Sequence, residues 1–215
     1  DLVLYHFDTS YQLLETSYIG GSGDDDLHDL VLSHGQIALV GDSSSRDFPT
    51  PKGFDSSYAG DGDAFMALVE PVESTLRYGS YLGGSGQQSG QSIALDENGL
   101  LYIAGYTTGE IPFKNGFQAA HGGGDFDAFL VVVDSRSQGQ AALRYSSYLG
   151  GSANERSFDL ALGPNKLVAL VGNTNSVNFP THNALQNQLA GSNDAFLTLI
   201  DPQASGSASL RSSGY

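Results

Sequence analysis

Ser17-Tyr18-Ile19-Gly20-Gly21-Ser22 returns as Ser80-Tyr81-Leu82-Gly83-Gly84-Ser85 and again as Ser147-Tyr148-Leu149-Gly150-Gly151-Ser152. A second phrase keeps the same beat: Asp63-Ala64-Phe65, Asp127-Ala128-Phe129 and Asp194-Ala195-Phe196, with Asp1-Leu2-Val3 as a degenerate first copy. The spacings are 62, 64 and 67 residues. Self-similarity at a nearly fixed period marks a repeat architecture. Residues 1–215 are therefore read as one array, with repeats starting near 1, 63, 127 and 194 and the last incomplete.

Within one copy, apolar runs bounded by turn residues give four strands. In the second they are Ser92–Leu95, Leu101–Ala104, Phe129–Val133 and Leu143–Leu149, with Asp96-Glu97-Asn98-Gly99 as the first hairpin turn. The third copy repeats them as 158–162, 167–171, 196–200 and 210–215, and the first as 30–32, 37–40, 65–69 and 76–82. Runs such as Phe129–Val133 are apolar at consecutive positions, which requires both faces of the sheet to be covered. The fourth strand alternates polar and apolar residues, with Arg77, Arg144 and Arg211 at one equivalent place, and is expected to be a half-solvated edge with a charged rim. No segment of useful length has a helical period. The predicted class is all-β: propeller blades of four antiparallel strands, about three and a half of them.

Several motifs in fixed order then carry a family resemblance. Tyr81-Leu82-Gly83-Gly84-Ser85, Ile93-Ala94-Leu95-Asp96 with Asn98-Gly99, Tyr102 to Thr107, Phe179-Pro180, and Asp127-Ala128-Phe129 followed by Tyr145-Ser146-Ser147-Tyr148 resemble the bacterial SBBP β-propeller repeat. The resemblance covers essentially the whole chain. It implies a module of a large exported or surface protein, serving as scaffold or binding platform, with no shared catalytic residues.

Composition restricts partners. Nine Lys and Arg face 24 Asp and Glu, a formal charge of -15, which argues against nucleic acid and anionic membranes. No stretch nears the roughly 20 apolar residues of a membrane helix. Zero cysteines remove disulfides, thiolate metal sites and thiol catalysis. An acidic, cysteine-free chain rich in Gly and Ser suits an extracellular or bacterial cell-surface location. Asp1 falls inside a repeat and Tyr215 inside the recurring phrase, so flanking repeats or a second chain are expected to cover open ends.

Catalytic grammar is missing: no phosphate loop, no Gly-x-Ser-x-Gly elbow, no His-Glu-x-x-His. The five histidines occupy non-equivalent positions and read as loop or rim residues. Carboxylates are the candidates for a metal. Asp61 with Asp63, and Asp125 with Asp127, stand two apart before the third strand, where i and i+2 side chains share a side and could offer oxygens to Ca2+. The competing role is an Asx-turn, in which an Asp accepts backbone N–H bonds. Asp24, Asp25 and Asp26 form the densest acidic run, at the place of Gln87-Gln88-Ser89 and Asn154-Glu155-Arg156, and read as variation on a solvated loop or a local metal site. The recurring Tyr and Phe residues are assigned to packing between blades, and copy-specific Tyr106, Phe113 and Phe117 are the candidates for sugar stacking. Two functions follow: a non-catalytic surface module that binds protein or glycan, with Ca2+ as a candidate stabilising ion, or a hydrolase or lyase on polysaccharide with its site at the central mouth.

Overall fold

The computed structural model describes residues 1–71 and 73–215. Among these residues fourteen strands form four antiparallel sheets. A two-stranded sheet, β1 (Leu2–Phe7) and β2 (Leu13–Ile19), comes first. Three four-stranded sheets follow: β3 to β6 within 25–82, β7 to β10 within 88–149, and β11 to β14 within 155–214. Each is a simple antiparallel meander in chain order, with a tight first hairpin and a long connection between the second and third strands. The first hairpin turns differ in chemistry and length, but each uses positive φ. His34 and Gly35 supply positive φ in one copy, Gly99 in the next, and Asn165 and Lys166 in the third.

Neighbouring sheets meet through their first and second strands, β3 and β4 against β7, and β7 and β8 against β11. The first strands therefore gather on a common axis. Each carries one extra residue in its register, His28, Gln91 and Phe158 respectively, a bulge that turns the strand and re-aims its side chains.

The core lies between sheets. Phe65, Ala67 and Val69 of β5 (Asp63–Glu70) face the two-stranded sheet with Leu2 and Ile19, whereas Ala64, Met66 and Leu68 face the next sheet with Ile93 and Ile103. The same division in β9 (Asp127–Asp134) leaves every residue buried. Consecutive apolar positions thus have the expected cause in the first two full blades, which are covered on both sides, whereas the third has one face open at Val171 and Leu197.

The outer strand departs from expectation. Tyr78 to Leu82 of β6 (Thr75–Leu82) and Tyr145 to Leu149 of β10 (Leu143–Leu149) are buried. The long connection between second and third strands wraps around this edge and pairs with it irregularly. Tyr81 N–H donates to the Asp55 carbonyl at 3.1 Å, Ser146 N–H to Lys114 at 2.8 Å, and Ser213 and His182 exchange two bonds of 2.7 and 2.8 Å. The edge is closed because its free N–H and C=O groups find main-chain partners in the loop. Only the start of the strand stays open. There Arg77, Arg144 and Arg211 stand about half exposed, paired with Glu73, Asp134 and Asp201.

Candidate functional site

The recurring polar residues hold each blade together. Asp63, Asp127 and Asp194, first residues of β5, β9 and β13 (Asp194–Ile200), each accept the N–H of a residue four or five earlier: Ala59, Gly122 and Ala190. Asp63 and Asp127 also lie against the first glycine of the next repeated phrase, where a Cβ on Gly83 or Gly150 would strike the carboxylate. The two recurring phrases of the sequence are therefore in contact. The second glycine gives its N–H to the head of the following first strand: Gly21 to Asp25 at 2.8 Å, Gly84 to Gln88 at 3.4 Å and Gly151 to Glu155 at 2.7 Å.

The phrase tyrosine is a staple as well. Tyr81, Tyr148 and Tyr215 each take a backbone N–H, from Phe48, Ile111 and Phe179, and give their hydroxyl proton to the carbonyl of Ser45, Gly109 and Ser176. Packing between blades, the role assigned to these rings from sequence, is only part of their work. They also fasten the start of the long loop to the outer strand.

The paired acids do not act in pairs. Asp63 is fully buried and Asp61 is exposed, because Gly62, at φ +155°, separates them before regular strand geometry begins. Asp127 is fully buried and Asp125 exposed. Asp25 is buried too, accepting Ser43 Oγ at 2.5 Å and Ser45 Oγ at 2.9 Å, between exposed Asp24 and Asp26. The run at 24–26 is thus not a solvated loop: β3 (Asp25–Ser33) starts inside it, and Asp25 is the structural equivalent of Gln88 and Glu155. Among the described residues no group of three His, Asp or Glu side chains is placed to hold one ion. Burial pushes the Asp63 carboxyl up to about 6 and that of Asp127 up to about 7. Each keeps one carboxyl oxygen, Oδ1, buried without a hydrogen-bond partner, that of Asp127 lying 3.8 Å from His121 Nδ1.

Copy-specific polar groups collect elsewhere. A cleft of about 270 Å³ opens between the first two full blades, lined by Asp24, Asp26, Asp42 and Asp61 together with Ser89 and Tyr106. Asp42, in β4 (Gln36–Ser43), accepts Ser89 Oγ at 2.8 Å and lies 3.1 Å from His28 Nε2. Sequence reasoning missed it. The signal was present as Gly41-Asp42-Ser43 aligned with Gly105-Tyr106-Thr107 and Gly172-Asn173-Thr174, the one place where the end of the second strand becomes acidic. His28, expected as a loop or rim residue, is exposed, and the bulge sets its Nδ1 2.9 Å from the Gly90 carbonyl of the next blade.

At the axis, Ser92 Oγ lies 3.0 Å from Asp29 Oδ2 and 2.9 Å from Asp159 Oδ1, joining three blades through equivalent positions. Asp29 also accepts the Ile93 N–H at 2.9 Å. One hydroxyl proton serves one carboxylate at a time.

Four-stranded meanders stacked through their first strands around an axis define a β-propeller architecture. Residues 77–112 match the family model of the SBBP beta-propeller repeat, so the chain carries this repeat across the outer strand of one blade and the first two strands of the next. No curated protein matches the chain.

Proposed function

We propose that this chain is a non-catalytic propeller module of an exported or cell-surface bacterial protein, a scaffold that binds a protein or glycan partner at the acidic cleft between its first two full blades. The observation that carries this is the division of labour among polar groups. Those that recur in every copy are consumed by internal hydrogen bonds, while Asp24, Asp26 and Asp42, acidic in this copy alone, line one open cleft. A partner surface is where copies of a repeat are free to diverge.

The faces at either end of the array support a further part of the proposal. Val171 and Leu197 are 41% and 51% exposed, whereas their equivalents Val40, Ala104, Met66 and Leu130 are fully buried under the next blade. Flanking repeats or a second chain would cover such faces. The proposed role does not need calcium.

The enzymatic alternative has one observation in its favour, the Asp29 and Asp159 carboxylates drawn together at the axis by Ser92. Incubation with a polysaccharide panel separates the two. No turnover, together with retention of a glycan or protein that is lost in Asp61→Asn, is the expected result; turnover abolished by Asp29→Asn would overturn it.

A further inference from the structure

The seam between the second and third full blades displays, already filled, the position that is open in the acidic cleft. Arg156, second residue of β11 (Glu155–Leu162), places its guanidinium 4.0 Å from the ring centroid of Phe126 and 5.1 Å from that of Tyr106. The two rings meet edge to face and form a corner that receives the cation. One blade earlier the same strand position is Ser89, and the places of Tyr106 and Phe126 are taken by Asp42 and Gly62. Ser89 still reaches back across the seam to Asp42, but its short side chain leaves the space that Arg156 fills in the next seam. The aromatic corner has become a carboxylate corner. Asp24, Asp26 and Asp61 add charge, and no Lys or Arg lines the cleft.

We infer that the cleft is a receptor for a cationic side chain, a guanidinium or ammonium group presented by a basic protein segment, seated where Arg156 sits one seam further on. This deepens the proposed binding role and rests on it. A sugar is the poorer fit, because the ring of Tyr106, the aromatic residue of this cleft, already packs against Arg156. A guanidinium fits because its planar fork matches carboxylate oxygens two at a time.

Calorimetric titration of the chain with a short Arg-Arg peptide, at low and moderate salt, tests the inference. The citrulline counterpart serves as control, since it keeps the shape and loses the charge. Binding is expected for the arginine peptide only, weakening with salt. Asp42→Asn is expected to lower the affinity about tenfold. Asp61→Asn, which sits on the exposed rim of the cleft, should do so without touching Asp42's bonds to the fold. Ser89→Arg should fill the seat from within, as Arg156 does, and abolish peptide binding while the protein stays folded. Equal binding of the citrulline peptide, or unaltered binding by Ser89→Arg, would overturn the inference. If a glycan binds, loses affinity in Asp61→Asn, and the arginine peptide does not bind, the module reading stands and the cationic ligand is wrong. If neither a glycan nor a peptide binds, both fall.

Discussion

The two-stranded sheet at 2–19 and the four-stranded blades contain the same recurring phrase, yet treat it in opposite ways. Tyr18 is 71% exposed, whereas Tyr81 and Tyr148 are 1% and 3% exposed. The difference is not in the tyrosine or its immediate neighbours. Tyr81 is buried because its own blade supplies Phe48 N–H and the Ser45 carbonyl from a loop that the two-stranded sheet lacks, and because Phe48, Phe65 and Tyr58 close around its ring. The same residue is a staple or a surface group according to what the rest of its blade provides.

Glycine in the phrase gives the largest expected contrast. Gly150→Ala would push a methyl into Asp127, which is fully buried and cannot turn aside. We expect it to cost about 3 kcal/mol in chemical denaturation, as overpacking in a closed site does. Gly20→Ala meets chiefly Asp1, an exposed residue that can move, and touches buried Asp25 at one oxygen only, 2.7 Å away, so it should cost less. Equal losses at both positions would show that the buried carboxylate is not what demands glycine.

The tyrosine hydroxyl comes next. Tyr81→Phe or Tyr148→Phe leaves a buried N–H and a carbonyl unpaired, a loss of about 1–3 kcal/mol. Tyr18→Phe should stay within about 0.5 kcal/mol of the parent, like other surface changes. Comparable destabilisation by all three would break the contrast.

A smaller effect should appear in the dependence on pH. Burial raises the Asp63 carboxyl to about 6 and that of Asp127 to about 7, against an ordinary value of 3.8. The folded state therefore binds these protons more tightly than the unfolded chain does, and the stability they contribute is full at acid pH and is lost as pH rises through 6 to 7. Melting temperature should fall between pH 5 and pH 8, and Asp127→Asn, which cannot ionise, should flatten that fall. A melting temperature that rises through the same window would be the opposite result. The smallest effect is expected from metal: calcium followed by a chelator should leave the melting temperature unchanged, and a rise reversed by the chelator would restore the acidic pairs as ligands.

Much of the fold was legible because a blade is a local object. Its strands are short apolar runs separated by turn residues, its hairpins need positive φ where Gly35 and Gly99 stand, and repetition supplied three independent readings of each element. The fourth strand was misjudged for the same reason. Alternating polarity reports which side chains meet solvent, but the edge was closed by main-chain bonds from residues such as Lys114 and Asp55, and these leave no trace in side-chain pattern. The site was less legible. The rule that i and i+2 share a face holds within a strand; at Asp61 and Asp63 the pair straddles Gly62, where the strand has not begun.

The sequence by itself determined that this chain is a repeat, that the inner strands of its middle blades are covered on both faces, and that it belongs among propeller-forming chains, since each follows from spacing and polarity along one blade. Only the tertiary structure decided what the acids do. It buried Asp25, Asp63 and Asp127 as partners of loop N–H groups and brought Asp42, 16 to 19 residues away in sequence from Asp26 and Asp61, into one cleft with them. The reason is that a carboxylate's role is set by the dielectric and the donors around it. Those are fixed by which blade packs on which, an arrangement no local pattern encodes.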